Sequence, residues 1–533
     1  MGSSRNKKFC LCIFAVLILF LSTLTSCFSG GSDKPDDKLK SGSTESDSSK
    51  YLVVTEEEPD TTDFQCTTYY YTVAMNVFDR LVEIETDGDG ESGIVPSLAE
   101  SWEISDDRRT YTFHLREGVK FSNGSPLTSG DVLYSFSRLL TEPNSCNQDI
   151  VKVINDRDFT ITLEQPFEAF LASLSTPGAS IMNEELTKSA KDRFGTAPNT
   201  MIGTGPYIFS QWEKGNKILL KANNDCWSGK PANEGVEILF LSEPEYIQEL
   251  FDNGQLDIMD LDDLDNDAEY YIHGDIYQDK LKVVQRVAIN YIALNESVRP
   301  LNDVRVRKAL QLAVNRMALL DSVYGGRGEI EDGIFPHGLY GFNEDLPEIP
   351  FDKKKAKALL AEAGYPDGFD ITIAIKSSST QWEDLMMNIV ASMWKEIGVK
   401  AKIEILPESE FMLRRKDGDL ACYTAMWTAD YNDPDNFIFT FFGNKKNTRF
   451  RSICYDNEKI MDRVRKARMI GDAAKRLEEY HELEKKIAQE DAAWIPLFSR
   501  SRLYVVSDRV DGFAPIWNGS VRSSYRTISL KKK

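Results

Sequence analysis

Alternating apolar and polar positions mark a strand at residues 369–375, where Phe369, Ile371, Ile373 and Ile375 enclose Asp370, Thr372 and Ala374. The period then changes. From about Gln381 to Glu396, Met386, Ile389, Val390, Met393 and Ile397 recur at helical spacing, and Gly398 offers a C-cap. A second alternation, Val399, Ala401, Ile403 and Ile405 against Lys400, Lys402 and Glu404, completes a βαβ unit, so the two strands should pair in parallel. Helical stripes are also predicted at Leu310, Ala313, Val314 and Met317, and at Ala356, Leu359, Leu360 and Ala363 with Asp352 as N-cap and Gly364 as stop. A late helix carries Ala473, Leu477, Tyr480, Leu483 and Ile487. Tyr111, Phe113 and Leu115 mark a further strand, and residues 122–126 (SNGSP) a turn. The class is α/β with mixed sheets in at least two lobes.

Length agrees, since 533 residues exceed the roughly 100–200 of one domain. The formal charge of −21 argues against nucleic acid, whose phosphates need a basic surface. The N-terminus says more. Arg5, Lys7 and Lys8 precede an apolar run from Phe9 to Leu24, too short for the roughly 20 residues of a membrane-spanning helix, and small residues lead to Cys27: a secretory signal. Leu24-Thr25-Ser26-Cys27 resembles the lipobox of bacterial lipoproteins, which implies cleavage after residue 26 and a lipid on Cys27. Residues 28–50 are nearly all Ser, Gly, Asp, Lys and Pro and read as a flexible tether.

Local signals for catalysis are missing. The four histidines lie outside metal-ligand spacing of one another, and neither a GxSxG elbow nor a GxxxxGK loop occurs. Gly203-Thr204-Gly205-Pro206-Tyr207 reads as a tight turn, and residues 87–91 (DGDGE) as a hairpin turn rather than a calcium loop. The acidic run from Asp257 to Glu269 reads as a solvated face. Cys66, Cys146, Cys226, Cys422 and Cys454 show no CxxC spacing; most are expected to be buried free thiols, with one disulfide left open. No metal or other cofactor is expected.

Six segments, in order along residues 98–506, resemble one family, the oligopeptide- and dipeptide-binding lipoproteins of ABC importers (solute-binding protein family 5). They are residues 98–139, Gly203 to Tyr207, residues 301–316 (LNDVRVRKALQLAVNR), residues 356–369 (AKALLAEAGYPDGF), residues 427–437 (WTADYNDPDNF) and residues 494–506 (WIPLFSRSRLYVV). The resemblance implies a two-lobed periplasmic-binding-protein fold, type II, of the large peptide-binding subclass, with an extra subdomain on the first lobe. The expected division is a signal at 1–26, a lipidated tether at 27–50, lobe I at 51–290 with its subdomain at about 77–195, lobe II at 291–500, and a return to lobe I at 501–533. Crossings are expected near Asn290 to Leu294 and Ser499 to Tyr504, with the lobes closing over the ligand.

Enclosing a peptide strips water from its ammonium, so the pocket must supply a carboxylate. In the family the Asp following Trp in this motif holds the ligand amino group; Trp427-Thr428-Ala429-Asp430-Tyr431 matches it and puts Asp430 in that role, the bland alternative being a capped turn. Met426 to Thr428 and Cys66, Thr67 and Thr68 are the implied strands against which the ligand backbone would pair. Trp427 and Trp382 are implied pocket walls. At positions where relatives carry a His or Arg for the peptide carboxylate, this chain has Glu383 and Thr424, and Glu408 adds negative charge. Either Arg414 or Arg415 reaches in, or the ligand is cationic or longer.

The reading is of an exported receptor without enzymatic activity, a monomer held to the outer face of the cytoplasmic membrane or in the periplasm through Cys27. Its partners are a peptide ligand and the permease of an ABC importer, with no nucleic acid. Its rivals are the same fold with another solute (an oligosaccharide, a nickel chelate or a signalling peptide), an adhesin or sensor, and an exported hydrolase.

Overall fold

A computed structural model describes residues 50–67, 70–86, 92–139, 150–263, 268–377, 381–520 and 525–531. The signal, Cys27, the tether, Thr68, the turn at 87–91 and Cys146 lie outside them.

Two large sheets organise the chain. The first has seven strands in the order Leu281–Val284, Arg502–Val506, Ile258–Asp260, Leu52–Glu56, Gly235–Phe240, Lys217–Ala222 and Tyr207–Glu213. The second has six, in the order Gly328–Ile330, Trp494–Arg500, Ala288–Leu294, Cys422–Thr428, Asp370–Lys376 and Lys400–Leu406. We call the halves built on them the first and second lobes. The chain therefore passes from the first lobe to the second between Val284 and Ala288, and returns between Arg500 and Arg502. A four-stranded antiparallel sheet at residues 99–162, with helix Ser129–Leu139, adds a subdomain to the first lobe.

The βαβ unit is present. Asp370–Lys376 and Lys400–Leu406 pair in parallel, Ile373 opposite Ile403, and helix Gln381–Lys395 connects them. Gly398 follows at φ +90°, a conformation that a side chain would strain. Because helices cover both faces of the second sheet, it has two cores. Tyr291, Tyr423 and Trp494 belong to one with Phe437, Phe441 and Leu483; Ile292, Ile373 and Leu497 belong to the other with Leu310, Leu360 and Val390.

Three local expectations are corrected. The stripe from Leu310 to Met317 is two helices, Val304–Leu312 and Arg316–Tyr324, because the Asn315 side chain accepts the Ala318 N–H and starts a new N-cap; Met317 is consequently exposed. The late α-helix ends at Glu484, and Ile487 lies in a π-helical continuation, Lys485–Glu490. The acidic run is not simply a solvated face. Asp257 and Asp260 are buried and Asp262 is half-buried; they pair with Arg509, Arg502 and Arg286 respectively.

Gly203 and Gly205 explain the bend before Tyr207. A Cβ on Gly203 would lie 1.9 Å from the Val77 carbonyl oxygen, and the Gly205 N–H donates to that oxygen at 2.9 Å. Cys66, Cys226, Cys422 and Cys454 are free thiols; Cys226 and Cys422 are buried and Cys454 half-buried, while Cys66 is exposed in a surface turn. Among the described residues no helix is long and apolar enough to cross a membrane.

Candidate functional site

Three parallel strands of the second lobe, ending at Lys376, Leu406 and Thr428, deliver their carboxyl ends to one edge of its sheet. That is where open α/β sheets bind ligands. Register places the crossings at the same edge, with Ala288 opposite Thr428 and Asn290 between Met426 and Phe498.

Asp430 lies two residues beyond Thr428. Its position is set by the Ala429 N–H donating to Val287 O at 2.9 Å and by Asn436, which works on both sides of it. Asn436 Oδ1 accepts the Asp430 N–H at 3.0 Å and the Trp427 indole N–H at 3.2 Å, while its Nδ2 donates to Asp430 Oδ2 at 3.1 Å. Asn436 can do this because Asp435–Phe442 begins a helix there, anchored by two ion pairs: buried Arg476 to Asp433 at 2.9 Å and half-buried Arg468 to buried Asp435 at 2.8 Å. Asp430 itself pairs with no Lys or Arg at ion-pair distance among the described residues. Water reaches its carboxylate, yet the surrounding protein displaces enough hydration to raise its pKa, and the Asn436 amide and the Arg451 charge pull it part of the way back.

Across from it stands Tyr71 of the first lobe. Burial raises the pKa of the Tyr71 hydroxyl, and so does the Asp430 charge; the hydroxyl donates to Thr67 O at 3.1 Å. Thr67, Tyr71 and Asp430 thus come together from the two lobes. A separate cavity of about 330 Å³, lined by none of these three, lies between the lobes, with Ile94, Arg108 and Glu168 on one side and Asn432, Asp433 and Arg476 on the other. Cys66 departs from expectation. Residues 64–66 are a turn, not a strand, with the Cys66 and Thr67 N–H groups both donating to Asp63 O at 3.0 and 2.9 Å. The turn is held by Arg138, which donates to Asp63 and Gln65 at 2.9 and 2.8 Å.

Trp427 is half-buried. Arg451 stacks on it, 4.6 Å from the ring centroid, and Phe441 meets it edge-on at 5.4 Å. Strand Cys422–Thr428 pairs with Ala288–Leu294 throughout, but with Asp370–Lys376 only at Cys422 and Tyr423. Among the described residues, the second edge of Ala425 to Thr428 carries no strand.

Trp382 and Glu383 open the helix after Lys376, and Glu408 the helix after Leu406, at the same sheet edge. Trp382 packs on Tyr324 with ring centroids 5.9 Å apart, and both pack against the core of this lobe. Exposed Glu408 lies 3.9 Å from Lys376. Thr424 is buried and its hydroxyl donates to Tyr291 O at 3.2 Å. Arg414 is engaged by Glu404 at 3.1 Å, and Arg415 acts on the buried hydroxyls of Tyr291 and Tyr423. Tyr71, Asn436 and Arg451 were missed in the sequence. Only Asn436 had a signal, its place in the motif at 427–437.

Two sheet-bearing lobes joined by paired crossings, with polar groups on facing edges, define a protein that holds a solute between its halves. The comparisons give the family. The model of bacterial extracellular solute-binding proteins, family 5, middle part, matches residues 93–449, and the chain belongs to that family. It is 29% identical over 477 residues to the dipeptide-binding protein of Escherichia coli, covering 83% of this chain and 86% of that one. It is 28% identical over 480 residues to heme-binding protein A of Haemophilus influenzae, with 84% and 86% covered. The structure of the periplasmic binding protein DppA from Helicobacter pylori in complex with peptide STSA superposes with a TM-score of 0.75 at 25% identity, over 91% of this chain and 98% of that one. The fold is that of the periplasmic binding proteins of this family.

Proposed function

We propose that this chain is an extracytoplasmic receptor that encloses a peptide between its lobes and hands it to the permease of an ABC importer, with no reaction of its own. The observation that carries this reading is Asp430: a carboxylate oriented by Asn436, reached by water, faced by Tyr71 across the cleft and without an ion-pair partner among the described residues. A ligand ammonium supplies the missing charge, and closure over it removes the water that would otherwise weaken the pair. The ligand backbone pairs with Met426 to Thr428, whose second edge is open, and Trp427 and Trp382 wall its side chains. On the first lobe Thr67 faces the ligand, with Cys66 beside it.

Lipid on Cys27, after removal of residues 1–26, tethers the receptor as a monomer to the outer face of the membrane. Replacing Cys27 with Ser would release it from the membrane fraction. Mass spectrometry of what copurifies with that variant tests the ligand class, with peptides bearing free amino ends expected and a non-peptide solute contradicting the reading. A second reading, a non-peptide solute on the same fold, is favoured by the likeness to a heme-binding protein. It predicts that Asp430→Asn leaves affinity intact, because a solute without an amino group has no use for that anion.

A further inference from the structure

Two crossings bring three arginines together at the hinge: Arg286 just before Ala288, and Arg500 and Arg502 around the return. Arg502 is engaged with Asp260, and Arg286 Nη1 donates to Asp262 Oδ2 at 2.8 Å. Arg500 reaches that same oxygen only at 3.5 Å. Asp262 therefore serves two guanidiniums, and the longer contact is the one ion pair Arg500 makes among the described residues. Arg286 Nε is buried and has no hydrogen-bond partner among the described residues. Burial, reinforced by the charges of Arg500 and Arg502, brings the Arg286 pKa down to about 10, against the pull of Asp262 and Asp260. The long 3.5 Å contact and the unpartnered Nε leave this corner able to take another anion.

Its position matters as much as its charge. Arg500 lies over the ring of Tyr324, 5.2 Å from the centroid, and Tyr324 packs on Trp382 beside Glu383. Phe498 and Met426 both face Asn290, so Arg500 stands about level with Thr428, two strands away. Two interstrand steps are about 10 Å. At roughly 3.5 Å per extended residue, that separation suits a peptide of about two to four residues reaching from Asp430 toward the hinge.

We infer that Arg500 and Arg286 receive the C-terminal carboxylate of the bound peptide, from the hinge rather than from positions 383 and 424. A guanidinium fork matches the two oxygens of a carboxylate, and an anion there would join Asp262 between the two cations that it now pairs. The assignment rests on the peptide reading and adds a free carboxyl end and a short length to it.

The test is calorimetric titration of the full chain, carrying Cys27→Ser, with a mixed tripeptide library as free acids and as C-terminal amides. Free acids should bind at least tenfold tighter than amides, and Arg500→Gln should abolish the difference while amides bind as before. Arg286→Lys, which keeps a charge but loses the fork, should shrink it and guards against a variant that fails to fold. Equal binding of acids and amides by the unaltered hinge would overturn the inference and leave the peptide reading standing. Amides carrying a Glu side chain that bind as tightly as the acids would also overturn it, by assigning the arginines to a side chain. If neither library binds, the peptide reading itself fails and the inference with it.

Discussion

Phe167 of the first lobe is the place to test lobe closure without touching the ligand. Arg468 of the second lobe lies between two rings, 4.3 Å from the centroid of Phe167 and 3.6 Å from that of Phe439, and is anchored on fully buried Asp435. Its carbonyl accepts the Glu168 N–H at 3.0 Å. Phe167→Leu keeps an apolar side chain and removes only the π face on the first-lobe side. A partly desolvated cation–π contact is worth about 0.5–2 kcal/mol, which is roughly a 2- to 30-fold change in an equilibrium constant. If the contact belongs to the closed state, the whole of that change falls on the closing equilibrium and passes to ligand affinity, because the ligand stabilises the closed form. Titration should show affinity weakened by that factor, and small-angle scattering should show a larger radius of gyration without ligand. The second-lobe half of the stack, Phe439→Leu, serves as control, since it sits on the same side as Arg468. Unchanged affinity in Phe167→Leu, with unchanged melting temperature, would refute the idea that this contact helps close the lobes.

Other consequences follow from buried groups. Glu484 is fully buried, accepts the N–H groups of Ile334 and Phe335 at 2.7 Å each, and burial pushes its pKa up to about 8. A carboxyl that holds its proton more tightly folded than unfolded loses stability for the protein as pH rises from about 4.5 to about 8. Glu484→Gln should flatten that part of the melting-temperature profile, the remaining slope coming from groups such as Glu296, raised to about 7; curves that stay parallel would count against it. Asn436→Ala removes three hydrogen bonds that aim Asp430 and Trp427, each worth about 1 kcal/mol. Titration should find a peptide bound at least tenfold more weakly and its N-acetylated form little changed.

What was legible in the sequence was what local spacing controls. Alternation at 369–375 and 399–405, with Gly398 between helix and strand, reads directly as a parallel unit because each signal spans only a few residues. Asn315 misled because its neighbours Val314 and Met317 continue an apolar spacing while its side chain restarts a helix. The acidic run misled for a different reason. Asp260 meets Arg502, 242 residues away, and charge in a list of residues looks solvated until its partner is placed. The loop that carries Asp430 was legible through the motif at 427–437, whereas Tyr71 and Arg451 come near Asp430 only through packing between distant segments that no short pattern records. Cys66 was placed on a strand by likeness alone, and the Asp63–Arg138 pair folds that stretch into a turn instead.

Most direct is the titration of Asp430→Asn and the unaltered chain with one peptide and its N-acetylated form. Truncating one side of a buried charge pair costs about 2–5 kcal/mol, so the unaltered chain should prefer the free amine by roughly 30-fold or more, and the variant should show almost no preference. A variant that binds the free-amine peptide as tightly as the unaltered chain would contradict the assignment of Asp430 as the group that meets the ligand's positive end.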